Sequence, residues 1–280
     1  MTTAGPLDGV RVVSVAINLP GPAAVARLAA LGASVTTVLP PSGDPVEAYA
    51  PAYFAELHAG QDVEHLDLKA GEGRARLDDL LGEADVLVTS SRPSALARLG
   101  LDHATVGGRH TLLCQVDVVG QPGAAAEVPG HDLTYQAGAG LLRDGRMPST
   151  TFVDLAGAER VVAEVCAALV ERARTDRGSR REVALSDVAD ALARPLVHGL
   201  TSPDGPIGGA LPVYDVYAAA QGHVALAALE PHFVARLAGA LDLAPDALTR
   251  ERLAGVFATR SASEWQAWAD EHDVPLVGVR

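Results

Sequence analysis

Three short segments, far apart along the chain, hold the side chains best suited to acid–base chemistry. They are Gly130-His131-Asp132-Leu133-Thr134-Tyr135, Phe152-Val153-Asp154-Leu155-Ala156-Gly157 and Ala228-Leu229-Glu230-Pro231-His232-Phe233. Together they offer one imidazole, His131, and carboxylates at Asp154 and Glu230, with Asp132 beside the histidine. Imidazole takes and gives protons near neutral pH, and a carboxylate within reach supplies a second base. These groups are the ones needed to move a proton on and off a weakly acidic carbon. Each also has an ordinary structural reading. Asp154 comes just before the clearest helix pattern and reads as its N-cap, accepting hydrogen bonds from free helix N–H groups. Asp132 reads first as a cap for the helix that follows it, while its backbone N–H would suit an enolate oxygen. Glu230 followed by Pro231 reads as the entry to a helix with proline at its first position.

Other chemistries lack their signatures. No His/Cys set has zinc-ligand spacing. No Gly-rich P-loop or Gly-x-Gly-x-x-Gly motif is present, and no nucleophile elbow supports Ser/His/Asp hydrolysis. Neither a metal nor a permanently bound cofactor is expected.

The elements that must position these groups are legible as alternating patterns. Val10 to Ala16, Ser34 to Leu39, Asp85 to Thr89 and Thr111 to Val119 read as strands; Ala23 to Leu31, Arg74 to Leu81 and Pro93 to Leu99 read as the helices between them. Such alternation predicts parallel βαβ units, and the near-continuous β-branched runs predict a sheet covered on both faces. Gly157 to Thr175 is the strongest helix, with Ala158, Val161, Val162, Val165, Ala168 and Leu169 on one face. Glu182 to Leu185 reads as a further strand and Asp187 to Ala193 as a helix. Pro195 to Pro212 is rich in proline and glycine and reads as a linker. Beyond it, Tyr214 to Ala218 and His223 to Ala227 read as strands joined around Gln221-Gly222. Pro231 to Leu243, Glu251 to Phe257 and Ser263 to Asp270 read as helices, the last capped by Ser261 or Ser263. The expected fold is α/β: a Rossmann-like parallel-sheet domain over 1–194, a linker over 195–212 and a smaller α/β domain over 213–280.

Composition narrows the partners. The formal net charge of −13 disfavours nucleic acid and anionic membranes. No run of about 18 apolar residues predicts a membrane span, and the start from Met1 to Gly9 lacks a secretory pattern. Cys114 and Cys166 sit in apolar surroundings and read as reduced core residues of a cytoplasmic protein. Lys69 is the only lysine.

In order along the chain, these segments resemble family III CoA-transferases (CaiB/BaiF type). The His131-Asp132 pair with Tyr135, the Asp154-Leu155-Ala156-Gly157 segment and the Leu229-Glu230-Pro231-x-Phe233 segment resemble the α-methylacyl-CoA racemase branch in particular. The resemblance implies a large and a small domain in an interlocked homodimer, acting on a coenzyme A thioester. It implies that Asp154 is a base in a racemase, or the acyl-carrying nucleophile in a transferase. His131 would be the second racemase base, and Glu230 its partner. The leading expectation is epimerisation of a 2-methylacyl-CoA or related acyl thioester. The alternatives are CoA transfer through an aspartyl anhydride, and a non-catalytic binding module. Two departures stand out. Thr36 to Pro40 and Leu57 to Asp62 carry no arginine or lysine where the family pattern has basic residues. Arg92 and Arg98 match basic family positions and are the expected CoA phosphate contacts. The sequence stops near Val274 to Arg280, about where the family's return to the large domain begins.

Overall fold

A computed structural model describes residues 5–143 and 145–279; the beginning of the Met1 to Gly9 stretch, and Arg280, lie outside the described residues. The chain divides into two compact units, one up to Ala193 and the other from Arg194.

The first unit alternates strand and helix. Its strands are β1 (Arg11–Ser14), β2 (Ser34–Leu39), β3 (Asp62–His65), β4 (Val86–Thr89), β5 (Cys114–Val119) and β6 (Arg180–Ala184). Its helices are α1 (Pro20–Ala30), α2 (Pro45–Tyr49), α3 (Pro51–Leu57), α4 (Gly71–Glu83), α5 (Pro93–Leu99), α6 (His103–Arg109), α7 (Asp132–Gly138) and α8 (Phe152–Thr175), followed by α9 (Leu185–Val197). The six strands form one parallel sheet in the order β3-β2-β1-β4-β5-β6. Successive side chains of a strand point to opposite faces, and both faces here meet apolar layers. Val12, Val86, Val88, Val116 and Val118 pack with residues of α1 and α8, including Val25, Leu28, Val161 and Val165. Val13 and Leu87 pack on the other face with Leu77 and Leu81 of α4, Leu96 of α5 and Val106 of α6. This double cover explains why β4 and β5 are buried at every position. Strand order reverses between β1 and β4, so the loops leaving those strands diverge and open a crevice at their carboxyl ends.

The second unit holds β7 (Tyr214–Ala218), β8 (His223–Ala227) and β9 (Leu276–Val279), an antiparallel sheet in that order. Helices α10 (Pro231–Ala240), α11 (Arg250–Phe257) and α12 (Ala262–His272) cover one face of it around Phe257, Leu253, Leu237 and Trp265. Ser261 caps α12 in a reciprocal box with Glu264.

Two expected boundaries need correction. The strongest helix begins at Phe152, five residues earlier than its apolar stripe indicates. Helix α9 continues through Val197 with Pro195 inside it, so the expected linker starts as helix. The last residues described form β9 within the small sheet. Cys114 is buried, Cys166 half-buried, and both are free thiols. Among the described residues no helix is long and apolar enough to cross a membrane.

Candidate active site

The crevice at the carboxyl ends of β1, β4 and β5 is lined by two of the expected residues, His131 and Asp154. The loop after β1 supplies Ile17 and Asn18, the loop after β4 supplies Ser90, and Gly120 follows β5. The Ser90 hydroxyl ties two of these loops together: it accepts the Ile17 N–H at 3.0 Å and donates to the Ile17 carbonyl at 3.2 Å. Asn18 takes a left-handed backbone conformation, φ 69°, which asparagine tolerates better than most residues. Its N–H donates to Asp44 Oδ2 at 3.0 Å. Asp44, itself 3% exposed, also accepts from Val46 N at the start of α2.

His131 and Asp154 both line this crevice. His131 is the N-cap residue of α7 and is exposed. Its N–H donates to Thr134 Oγ1 at 3.0 Å, and Thr134 N–H donates back to the His131 carbonyl at 2.8 Å. That exchange closes the first turn and holds the histidine at the crevice mouth. Asp154 enters from α8. It is not the N-cap: Thr151 takes that place, and Asp154 is the third helical residue. Its carboxylate accepts no hydrogen bond among the described residues. Burial, followed by the neighbouring charge of Asp132, raises its pKa from 3.8 to about 7.

Asp132 also departs from expectation. It is the first residue of α7 rather than its cap, and it is 5% exposed. Its Oδ1 accepts the N–H groups of Val153 at 2.8 Å and Asp154 at 3.0 Å, so it caps α8, the other helix. Gln136 Nε2 donates to its Oδ2 at 2.5 Å.

Tyr135 joins them by its position. It is 8% exposed and lines the crevice together with His131 and Asp154. Burial and then the charge of Asp154 raise its phenol pKa, while Arg92 pulls it back down. Its hydroxyl lies against two glycines: a Cβ at Gly120 would stand 2.2 Å from it and one at Gly130 2.4 Å. Gly130→Ala is therefore expected to push Tyr135 out of the crevice at a cost of about 1–3 kcal/mol. Urea unfolding and tyrosine fluorescence would register both effects.

The two expected phosphate-binding arginines are placed differently. Arg92 is exposed and lines a pocket that adjoins the crevice and shares Ser90, His131 and Tyr135 with it. Arg98, on α5, is exposed and lines neither. Glu127 lies near both: hydrogen bonds from Ser94, then the charges of Arg92 and Arg98, hold its carboxyl below the usual range. A larger cavity of about 410 Å³ opens at the carboxyl ends of β1, β2 and β3, walled by Val15, Ile17, Val38, Leu66 and Leu101, with Asp67 and Lys69 also lining it. Ile17 belongs to both this cavity and the crevice. Glu230 lies in the second unit as the N-cap residue of α10, exposed, with Pro231 next and no capping hydrogen bond from its side chain.

The remaining buried acid of the sheet is accounted for. Asp117, 1% exposed, accepts from Thr89, Gln115 and Arg180. Among the described residues no group of three or more His, Cys, Asp or Glu side chains is placed to hold a metal.

Comparison with known proteins adds the following. The family model described as CoA-transferase family III matches residues 7–280. The chain is 31% identical over 251 residues to a succinate–glutarate CoA-transferase of Agrobacterium fabrum, covering 79% of this chain and 63% of that protein. It is 30% identical over 200 residues to an acetyl-CoA:oxalate CoA-transferase of Acetobacter aceti, covering 65% of this chain and 51% of that protein. It is 29% identical to an α-methylacyl-CoA racemase of Mus musculus along 98% of this chain and 77% of that protein. The chain thus spans from about half to three quarters of the length of these relatives. A crystal structure of a CAIB/BAIF family protein from Brucella suis matches its fold with a TM-score of 0.84, at 24% identity, over 99% of this chain and 85% of that one.

Proposed function

The chain belongs to CoA-transferase family III, and from that premise we propose that it is an enzyme interconverting the two configurations at the α-carbon of an acyl-CoA thioester. The observation that carries this reading is that His131 and Asp154 line one crevice. In one direction the Asp154 carboxylate removes the α-proton from one face, and the electron pair passes into the thioester carbonyl as an enolate. The protonated imidazole of His131 then delivers its proton to the opposite face. The reverse direction starts with neutral His131 and protonated Asp154. The N–H of Asp132, at the start of α7, is the proposed donor to the enolate oxygen.

Proton affinity supports the pairing. An unperturbed aspartate lies about 2.6 pKa units below an unperturbed histidine, so one of the two one-proton states would outweigh the other roughly 400-fold. With Asp154 raised to about 7, its proton affinity falls in the neutral range where imidazoles titrate. An acid that exchanges its proton in that range can act as base in one direction and as acid in the other.

The carrier would lie along the carboxyl edge of the sheet. The apolar cavity beside Lys69 suits the adenosine end of CoA, and its shared wall at Ile17 leads toward the crevice. Arg92 is better placed than Arg98 to meet an anionic group of the carrier.

Incubation of one enantiomer of a 2-methylacyl-CoA with the protein, followed by chiral separation, tests the reading. The expected product is a mixture approaching equal amounts, with CoA still attached. A second reading is favoured by the CoA-transferases among its relatives. In it, Asp154 attacks the thioester carbonyl, the C–S bond breaks, CoA departs as thiolate, and the acyl group stays on Asp154 as a mixed anhydride. Retained configuration, with CoA passed to a free acid, would establish that reading instead.

A further inference from the structure

Asp154 sits where a carboxylate is usually held ionised. It is the third residue of a 24-residue helix, in the first turn where N–H groups lack partners and the helix dipole favours negative charge. A side chain in that position would ordinarily be pulled below the normal carboxylate range. Here the opposite holds, and part of the reason is a second carboxylate. Asp132 reaches across from α7 and takes the N–H groups of Val153 and Asp154 on a single oxygen, at 2.8 and 3.0 Å. Its other oxygen is held by Gln136 Nε2 at 2.5 Å, and Gln136 is 1% exposed. No cation pairs with Asp132 among the described residues, so its charge is answered by N–H dipoles.

We infer that Asp132 is a positioning residue that occupies the N-terminus of α8 in place of Asp154, leaving the Asp154 carboxyl outside the capping hydrogen bonds and beside a fixed negative charge. Gln136 locks Asp132 in that pose. The other groups near Asp154 are Tyr135 of α7, whose phenol feels both Asp154 and Arg92 from the turn after β4, and His131 at the crevice mouth. Asp132 is the charged group that raises Asp154, after burial itself. The arrangement gives one acid the helix and releases the other to carry a proton at neutral pH.

The catalytic consequence rests on the proton-transfer reading above, but the titration does not, and the two are separable. The direct experiment is carbon-13 NMR of the full chain labelled at aspartate carboxyl carbons, with Asp154→Asn used to assign the Asp154 resonance. In the wild type that resonance is expected to titrate near pH 7. Asp132→Asn keeps an oxygen to accept the two N–H groups, and Gln136 can turn its own oxygen toward the new amide. It is expected to lower the Asp154 midpoint by more than one pH unit. Asp132→Glu, which keeps the charge, is expected to hold the midpoint within half a unit of the wild type. In the racemisation assay the acid limb of the pH profile is expected to follow the same shift. An unchanged Asp154 midpoint in Asp132→Asn would overturn the inference. So would an ordinary midpoint near 4 in the wild type, a reading that needs no variant at position 132 to fold. Shifted midpoints with no racemisation by the wild type or any variant would uphold the positioning role and remove the proton-transfer reading alone.

Discussion

Asp154→Asn is expected to cost activity and add stability at once. The carboxylate is one of the two proposed bases, so racemisation should fall by about 10²–10⁴-fold, and the anhydride route would be lost with it. The stability effect follows from proton linkage. The folded protein binds a proton at Asp154 with a pKa of about 7, whereas the ordinary value is 3.8. Between those values the folded state holds a proton that the unfolded chain releases. The contribution of Asp154 to stability is therefore full below pH 4 and lost as pH rises through about 7. Ionising it in the folded state costs at most about 4 kcal/mol, taking 1.36 kcal/mol per pKa unit. Asparagine has no charge to bury. Urea unfolding at pH 8 should show the variant more stable than the wild type, by a margin that shrinks to nothing near pH 4. A variant less stable at both pH values would contradict the burial argument.

His131→Ala separates the two readings of the active site. Its side chain is exposed and at a helix start held by backbone and Thr134 bonds, so the substitution should leave the fold intact. Racemisation is expected to fall about 10²–10⁴-fold, because protonation from the second face is lost. Asp154 can still take and return a proton on its own face, so the enantiomer presenting its α-proton there should exchange without inverting. Transfer through Asp154 has no need of the imidazole and should survive. Chiral analysis and CoA-transfer assays on the same preparation distinguish the outcomes.

How far the amino-acid sequence betrays the fold depends on what each segment buries. β4 and β5 are rich in β-branched residues and buried at every position, so their sequences look like strands covered on two faces. The antiparallel pair around Gln221-Gly222 is legible for a similar reason, since Val224 and Leu226 of β8 alternate with more exposed neighbours. β3 is different. Asp62-Val63-Glu64-His65 forms an edge strand whose residues bury little, and no apolar pattern marks it. At the site, His131 and Asp154 carry chemistry in their residue types and stand out locally. The destination of the Asp132 carboxylate does not: it caps a helix that starts about twenty residues later, and only the packing of α7 on α8 decides that. Asn18 and Ser90 belong to no chemical motif, and the burial of Tyr135 against Gly120 and Gly130 is a tertiary fact. Ligands bind beyond the carboxyl ends of strands at a switch in strand order. That rule is the signal that points to Asn18 and Ser90, since each follows one of the strands flanking the switch.

The central claim is that this crevice moves a proton at carbon. The most direct test is to incubate each enantiomer of a 2-methylacyl-CoA with the wild-type protein in deuterated water and follow the α-position by mass and by chiral analysis. Both enantiomers should gain a single deuterium at the α-carbon and converge on one mixture, with the thioester intact. An α-position that keeps its hydrogen while CoA moves to another acid, or no change in either substrate, would contradict the account.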